Sequence, residues 1–127
     1  SAFDLVVFPS LWEGTPLTDF EALAMGKPIV STDADGLQDI LTHGRDAVIV
    51  QREHAAAIAD AVTALAGDPA RRAALGEEAR LTGARYDIRA FVRKMEQLYE
   101  LLHTGSRATR RAGILREDLR FLSGDPT

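Results

Sequence analysis

Two glutamates separated by seven residues, Glu13 and Glu21, are the side chains of this sequence best suited to binding a polar ligand. Gly14 and Pro16 lie between them. A carboxylate accepts hydrogen bonds from hydroxyl groups, and a glycine lets the backbone approach a ligand without a Cβ in the way. The amide groups at the start of a helix attract anions because they carry the positive end of the helix dipole. The segment therefore has the chemistry to bind a sugar attached to a phosphate.

The residues after the glycine predict a helix over about residues 16–25. Thr15 is the predicted N-cap, and Pro16 suits the first helical position. Because Pro16 has no N–H and Thr15 is expected to cap Thr18, the free amide at the helix start is chiefly that of Leu17. We therefore expect a phosphate group to lie at Leu17.

The two glutamates are expected on either side of this phosphate. Glu21 lies one helical turn after Leu17, within reach of two vicinal ribose hydroxyls. Glu13 precedes the turn, where its natural partner is a sugar hydroxyl. Each residue taken alone also fits a simpler interpretation, with Glu21 as a helix glutamate favoured by the dipole and Glu13 as a solvated loop acid.

Three short apolar runs, at residues 5–8, 28–31 and 47–50, predict strands that are covered on both faces, as in a parallel sheet. Helical patterns between them give the order β-α-β-α-β, so the predicted fold class is α/β. The sheet is expected to be a partial Rossmann-like, three-stranded parallel sheet flanked by helices. Glu13 follows the first strand, which places the candidate site at the carboxyl edge, where open α/β folds bind ligands.

Further helices are predicted over about residues 37–42 and 53–66, with two more after Asp68 and Asp87. The last of these carries an apolar stripe that is expected to pack, and its members include Phe91, Met95 and Leu98.

The chain of 127 residues is predicted to contain one domain over residues 1–103 and a basic amphipathic or partly disordered tail over 104–127. Residues 1–66 hold three basic and ten acidic residues, which leaves a charge of −7 and argues against a nucleic-acid groove. An anion bound there would rely on backbone N–H groups. The chain has no cysteine and its three histidines lack ligand-like spacing, so no metal site is expected.

The sequence leaves open the roles of three other residues near the same edge. Asp33 and Asp35 follow the second predicted strand, where loop capping and exposure to the cleft are both possible roles. Trp12 either lines the cleft or packs the loop.

Residues 4–102 resemble the carboxyl half of the donor-binding domain in GT-B-fold retaining glycosyltransferases of family 4, also called group 1 glycosyl transferases. The resemblance rests on an ordered set of motifs. They are Pro9-Ser10, Glu13 with Gly14, Leu17 and Glu21, Glu21-Ala22-Leu23-Ala24-Met25-Gly26-Lys27-Pro28-Ile29-Val30, Thr32-Asp33 with Gly36 and Asp39-Ile40, and Gly44-Arg45-Asp46-Ala47-Val48-Ile49-Val50.

This resemblance implies that Glu13 contacts the donor sugar as the catalytic residue and that Glu21 holds the ribose of a nucleotide-diphosphate sugar. The expected substrate-binding residues are Glu13, Gly14, Thr15, Pro16, Leu17, Thr18 and Glu21. The resemblance implies no metal and no cofactor beyond the donor substrate.

The same resemblance implies that the chain is a piece of a longer enzyme, inactive without an acceptor domain of the same polypeptide. The first strand would then be an unpaired edge through which the fragment self-associates. The complete enzyme is expected in the cytoplasm, either free or peripherally at the membrane. The alternatives are a non-catalytic nucleotide-sugar-binding or interaction fragment and, less well supported, an epimerase of similar fold, for which further acid–base residues cannot be placed.

Overall fold

A computed structural model describes residues 2–104 of the chain. The described residues fall into two compact units, residues 2–86 and residues 87–104. Within the described part, no helix is both long and apolar enough to cross a membrane. The tail predicted over residues 104–127 lies outside the described residues except for Thr104.

The first unit contains a three-stranded sheet. Its strands are β1 (Val6–Phe8), β2 (Ile29–Thr32) and β3 (Ala47–Val50), and they run parallel in the order β1-β2-β3. This arrangement confirms the predicted α/β class and the three-stranded parallel sheet. In the described part of the chain, β1 pairs with β2 alone and forms one edge of the sheet.

The second strand begins one residue later than predicted because Pro28 has no N–H to donate to a neighbouring strand. Pro28 still takes part in pairing through its carbonyl oxygen, which accepts a hydrogen bond of 3.0 Å from Val6 N.

Helix α1 (Leu17–Ala24) follows β1, and its N-cap is Pro16. The prediction that Thr15 caps the helix is wrong, since no side chain caps it. Pro16 has φ −71° and ψ 125°, an extended conformation, and a residue that precedes proline is also driven away from helical geometry. The helix therefore starts after the proline, and Asp19 N donates to Pro16 O at 3.2 Å.

Helix α2 (Asp35–Gln38) is shorter and begins earlier than the predicted helix over 37–42. Its N-cap, Ala34, is extended with ψ 141°, and its C-cap is Asp39. Beyond the helix, Thr42 N donates to the Asp46 carboxylate at 2.7 Å.

Helices α3 (Ala55–Gly67) and α4 (Pro69–Gly83) complete the first unit. α3 begins later than predicted because Glu53 has a φ of 60°, which a right-handed helix excludes. α4 has the predicted cap, since Asp68 Oδ1 accepts a hydrogen bond of 2.9 Å from Arg71 N and Pro69 occupies the first turn.

Helices cover both faces of the sheet. Successive strand residues point to opposite faces, so Ile29 lies in one apolar cluster and Val30 in the other. The buried members of the first cluster are Phe8, Ala22, Leu23, Ile29, Ala34, Leu37, Leu41, Ala47 and Ala79. Those of the second are Val30, Val48, Leu65 and Leu75. Burial on both faces explains why the strands have continuous apolar sequences.

Helix α4 fixes the position of α1. A Cβ at Gly83 would lie 2.9 Å from Ala24 N, so the absence of a side chain permits close packing of the two helices. α4 is also joined to the residue before β3, because Thr82 Oγ1 donates to Asp46 Oδ2 at 2.7 Å.

The second unit contains α5 (Ile88–Thr104). Asp87 Oδ1 accepts a hydrogen bond of 2.8 Å from Arg89 N, as the predicted cap requires. The prediction of a buried stripe is wrong for Phe91, whose exposed fraction is 58%, while Met95 and Leu98 are half-buried.

Candidate functional site

The loop between β1 and α1 lies at the carboxyl edge of the sheet and carries Glu13. Ser10 Oγ donates a hydrogen bond of 2.6 Å to Glu13 Oε1 and so holds one oxygen of this half-buried carboxylate. Thr32 Oγ1, at the end of β2, donates to Ser10 O at 2.5 Å. A chain of two hydroxyl groups thus connects the glutamate to the sheet.

Gly14 lies beside α2. Gly36 N donates to Glu13 O at 3.2 Å, and a Cβ at Gly36 would lie 1.6 Å from Gly14 O. By contrast, a Cβ at Gly14 would meet no atom within 4 Å. Gly36 is therefore required by the packing of the protein itself, whereas the space beside Gly14 is open to a ligand.

The start of α1 offers two amides rather than one. With no side-chain cap, the N–H groups of Leu17 and Thr18 have no earlier helical turn to which they can donate. Thr15 and Leu17 are exposed, and Leu17 reaches an exposed fraction of 76%. The helix start can therefore receive an anion at the carboxyl edge.

Glu21 is exposed one turn further along α1. The residues that follow it, Ala22 and Leu23, are buried in the first apolar cluster. Its spacing of four residues from Leu17 places both on the same side of the helix. The carboxylate is accessible and lies beyond the helix start, as the sequence predicts.

All seven predicted substrate-binding residues thus lie on one continuous segment that begins at the carboxyl edge of the sheet. Their individual roles stay predictions.

A charged network at the same edge was missed by the sequence analysis. Arg52, two residues after β3, donates to Asp33, Asp35 and the carbonyl oxygen of Leu11. Asp33 also accepts a hydrogen bond of 2.8 Å from Arg52 N. Hydrogen bonds from this backbone N–H and then from the guanidinium lower the pKa of Asp33 below its usual value. The position of a basic residue two residues after the third predicted strand was the available signal.

A buried acid, Asp19, was also missed. It is fully buried on α1, and neither of its carboxylate oxygens has a hydrogen-bond partner. Burial, and to a lesser extent the nearby Asp46 carboxylate, raises the pKa of Asp19 to about 6. The alternation of polar and apolar residues along this short helix gave no indication that an aspartate faces inward.

The histidines of the first unit have local roles. Nδ1 of His43 accepts from Ile49 N at 2.9 Å, and Nδ1 of His54 accepts from Ala57 N at 3.0 Å at the start of α3. Among residues 2–104, no group of three or more histidine or acidic side chains is arranged to hold a metal ion.

Comparison with known proteins decides the family. The family described as "Glycosyl transferases group 1" matches residues 1–68, more than half of the chain. The chain belongs to this family. The expected resemblance to group 1 glycosyl transferases is therefore confirmed.

Individual glycosyltransferases are similar to the chain over most of its length. A D-inositol 3-phosphate glycosyltransferase of Corynebacterium urealyticum is 35% identical over 81% of the chain, which spans 24% of that protein. A lipopolysaccharide core biosynthesis mannosyltransferase, LpsB of Rhizobium meliloti, is 34% identical over 80% of the chain, which spans 30% of it. The chain thus spans less than a third of the length of these relatives.

Solved structures confirm the fold. Sucrose-phosphate synthase from Thermosynechococcus elongatus superposes with a TM-score of 0.79 and 31% identity, over 84% of this chain and 27% of that one. HepE of Anabaena, in complex with UDP-glucose, superposes with a TM-score of 0.69 and 25% identity, over 81% of this chain and 28% of that one.

Proposed function

We propose that this chain forms the donor-binding half-site of a retaining glycosyltransferase, which transfers a sugar from a nucleotide-diphosphate sugar to an acceptor. The observation that carries the proposal is the segment at the carboxyl edge, where Glu13, the open space beside Gly14, the uncapped start of α1 and the exposed Glu21 follow one another. Membership of the group 1 family and the UDP-glucose bound by the related HepE support it.

The start of α1 is proposed to hold the diphosphate. Each of the three cations in residues 1–66 already has a partner: Lys27 Nζ donates to Phe3 O, Arg45 pairs with Glu78, and Arg52 pairs with Asp33. The first amides of α1 are then the groups of this half that stabilise the charge that develops on the departing nucleoside diphosphate. Further cations would come from elsewhere in the protein.

Glu13 is proposed to act at the sugar. Ser10 holds one carboxylate oxygen, which leaves the other free to accept a hydrogen bond from a sugar hydroxyl. In the transfer, the bond between the anomeric carbon and the phosphate oxygen breaks, and its electron pair leaves with the nucleoside diphosphate. The acceptor oxygen bonds to the same carbon with retained configuration, and the proton of the acceptor hydroxyl passes to the departing phosphate.

We propose that the reaction needs no metal. We also propose that the acceptor site lies in another domain of the same polypeptide and that the enzyme works in the cytoplasm or at the membrane surface. Transfer by the full-length protein in the presence of a chelator tests the first of these statements. Binding of nucleotide sugars without transfer to any acceptor would instead favour the non-catalytic alternative.

The decisive experiment measures steady-state kinetics of the full-length protein with its nucleotide-sugar donor and the 2′-deoxyribose analogue of that donor. If Glu21 holds the ribose hydroxyls, Glu21→Gln weakens a charge-assisted pair of hydrogen bonds worth about 1.5–3 kcal/mol, or roughly 10- to 100-fold in kcat/KM. Wild type should discriminate against the analogue, and the variant should largely lose this discrimination.

The control is Glu96→Gln, which changes an exposed glutamate on α5 and should behave as wild type. Equal discrimination by wild type and Glu21→Gln would show that Glu21 does not bind the ribose.

A further inference from the structure

One side chain, Arg52, joins three loops at the carboxyl edge of the sheet. Its Nη1 donates to Leu11 O at 3.0 Å, in the loop after β1. Its Nε donates to Asp33 Oδ1 at 3.1 Å, in the loop after β2, and its Nη2 donates to Asp35 Oδ1 at 3.2 Å, on the first residue of α2. Arg52 itself belongs to the loop after β3. The guanidinium therefore fixes the ends of all three strands relative to one another.

The residues held by Arg52 flank the proposed sugar-binding loop. Leu11 lies two residues before Glu13, so its carbonyl oxygen anchors the incoming side of the loop. Asp35 directly precedes Gly36, whose N–H donates to Glu13 O at 3.2 Å. Glu13 is thus held through Leu11 on one side and through Gly36 on the other, and Arg52 connects both anchors.

Geometry rather than charge explains why an arginine stands here. The Arg52 side chain has an exposed fraction of 33%, and water screens ion pairs at such positions. A planar guanidinium offers five N–H donors in a fixed fork and can bond to groups on different loops at once. A lysine ammonium is a compact charge on a flexible stem and lacks this geometry.

We propose that Arg52 is a positioning residue of the donor site, which keeps the Leu11–Gly14 loop in place before the sugar nucleotide binds. Because Leu11 and Glu13 are only two residues apart, loss of the Leu11 anchor displaces the Glu13 carboxylate and the amides beside it. This inference rests on the proposed function, because its effect is measured through sugar transfer.

The first test compares Arg52→Met with Arg45→Met in the full-length protein. Arg45 is the matched control, since its Nε lies 3.1 Å from Glu78 Oε2 in an exposed pair outside the three loops. Misplacing a reacting group by about 1 Å costs about a hundredfold in rate, so kcat/KM of Arg52→Met should fall by about tenfold to a hundredfold. Arg45→Met should stay within about threefold of wild type.

A double-mutant cycle separates positioning from a general structural role. If Arg52 acts by holding Glu13, then Arg52→Met should cost much less kcat in a Glu13→Gln background than in wild type, because the group that it positions is already impaired. Equal fold-losses in both backgrounds would overturn the proposal.

Arg52→Lys keeps the positive charge but removes the planar guanidinium with its five N–H donors. This variant replaces Arg52→Met in the test if the methionine variant does not fold. The lysine variant should fold as wild type does and still lose transfer by about tenfold. Activity within threefold of wild type in a folded Arg52→Lys or Arg52→Met variant would also overturn the proposal.

If wild type itself transfers no sugar from any nucleotide sugar, the proposed function fails instead, and the two failures are therefore distinguishable.

Discussion

Replacement of Gly36 by alanine is the sharpest perturbation of the candidate site that the structure offers. The added Cβ would lie 1.6 Å from Gly14 O, 2.6 Å from Gly14 C and 2.8 Å from Glu13 O. All three are backbone atoms, so no side-chain rotation relieves the overlap. The loop that carries Glu13 must move away from α2.

The size of the movement follows from these distances. Real Cβ contacts are essentially never shorter than 3.0 Å, so the separation from Gly14 O must grow from 1.6 Å to at least that value. A displacement above 1 Å at a reacting group costs about a hundredfold in rate, or about 3 kcal/mol of transition-state stabilisation. The movement also breaks the hydrogen bond from Gly36 N to Glu13 O.

The assay is kcat/KM for sugar transfer by the full-length protein, with thermal unfolding measured in parallel. Gly67→Ala is the control, because a Cβ at Gly67 meets no atom within 4 Å and the residue lies at the end of α3, away from the carboxyl-edge loops. Gly14→Ala provides a second comparison, since its Cβ also meets no protein atom within 4 Å but would enter the space proposed for the ligand.

We expect Gly36→Ala to lower both activity and melting temperature, Gly14→Ala to lower activity alone, and Gly67→Ala to lower neither. Wild-type activity in a folded Gly36→Ala variant would refute the reasoning, because the loop would then tolerate a shift that the mechanism forbids. Wild-type activity in Gly14→Ala would show that no ligand occupies the space beside Gly14.

Two further predictions concern stability and association. Because the pKa of Asp19 is raised from 3.8 to about 6, the folded protein binds this proton more tightly than the unfolded chain does. The free energy of unfolding should therefore fall as the pH rises from about 4 through about 6, by up to about 3 kcal/mol, and the contribution of this group should level off by about pH 7. Denaturant titrations should show this fall in wild type and in the exposed control Asp60→Asn but not in Asp19→Asn, and an unchanged slope in Asp19→Asn would contradict it. The 127-residue chain by itself should self-associate, because within residues 2–104 β1 has a neighbouring strand on one side only; a stable monomer in sedimentation at rising concentration would argue against this.

Local patterns in the sequence determined the fold class and the location of the candidate site. The continuous apolar runs predicted strands covered on both faces, and Ile29 and Val30 indeed lie in separate apolar clusters. The Asp68-Pro69 pair predicted the start of α4. Glu13 and Glu21 could be assigned to one site because the nine residues from Glu13 to Glu21 span a single loop and helix start, so their proximity is local.

The tertiary structure alone decided what holds that site in place. Arg52 reaches Leu11 across 41 residues of sequence, and Gly36 meets Gly14 because α2 begins beside the loop after β1. Asp19 is likewise fully buried although its neighbours in sequence do not indicate it. Periodicity and turn chemistry report on neighbours within a few residues, whereas these contacts depend on strand order and helix packing, which bring together residues that are far apart in the chain.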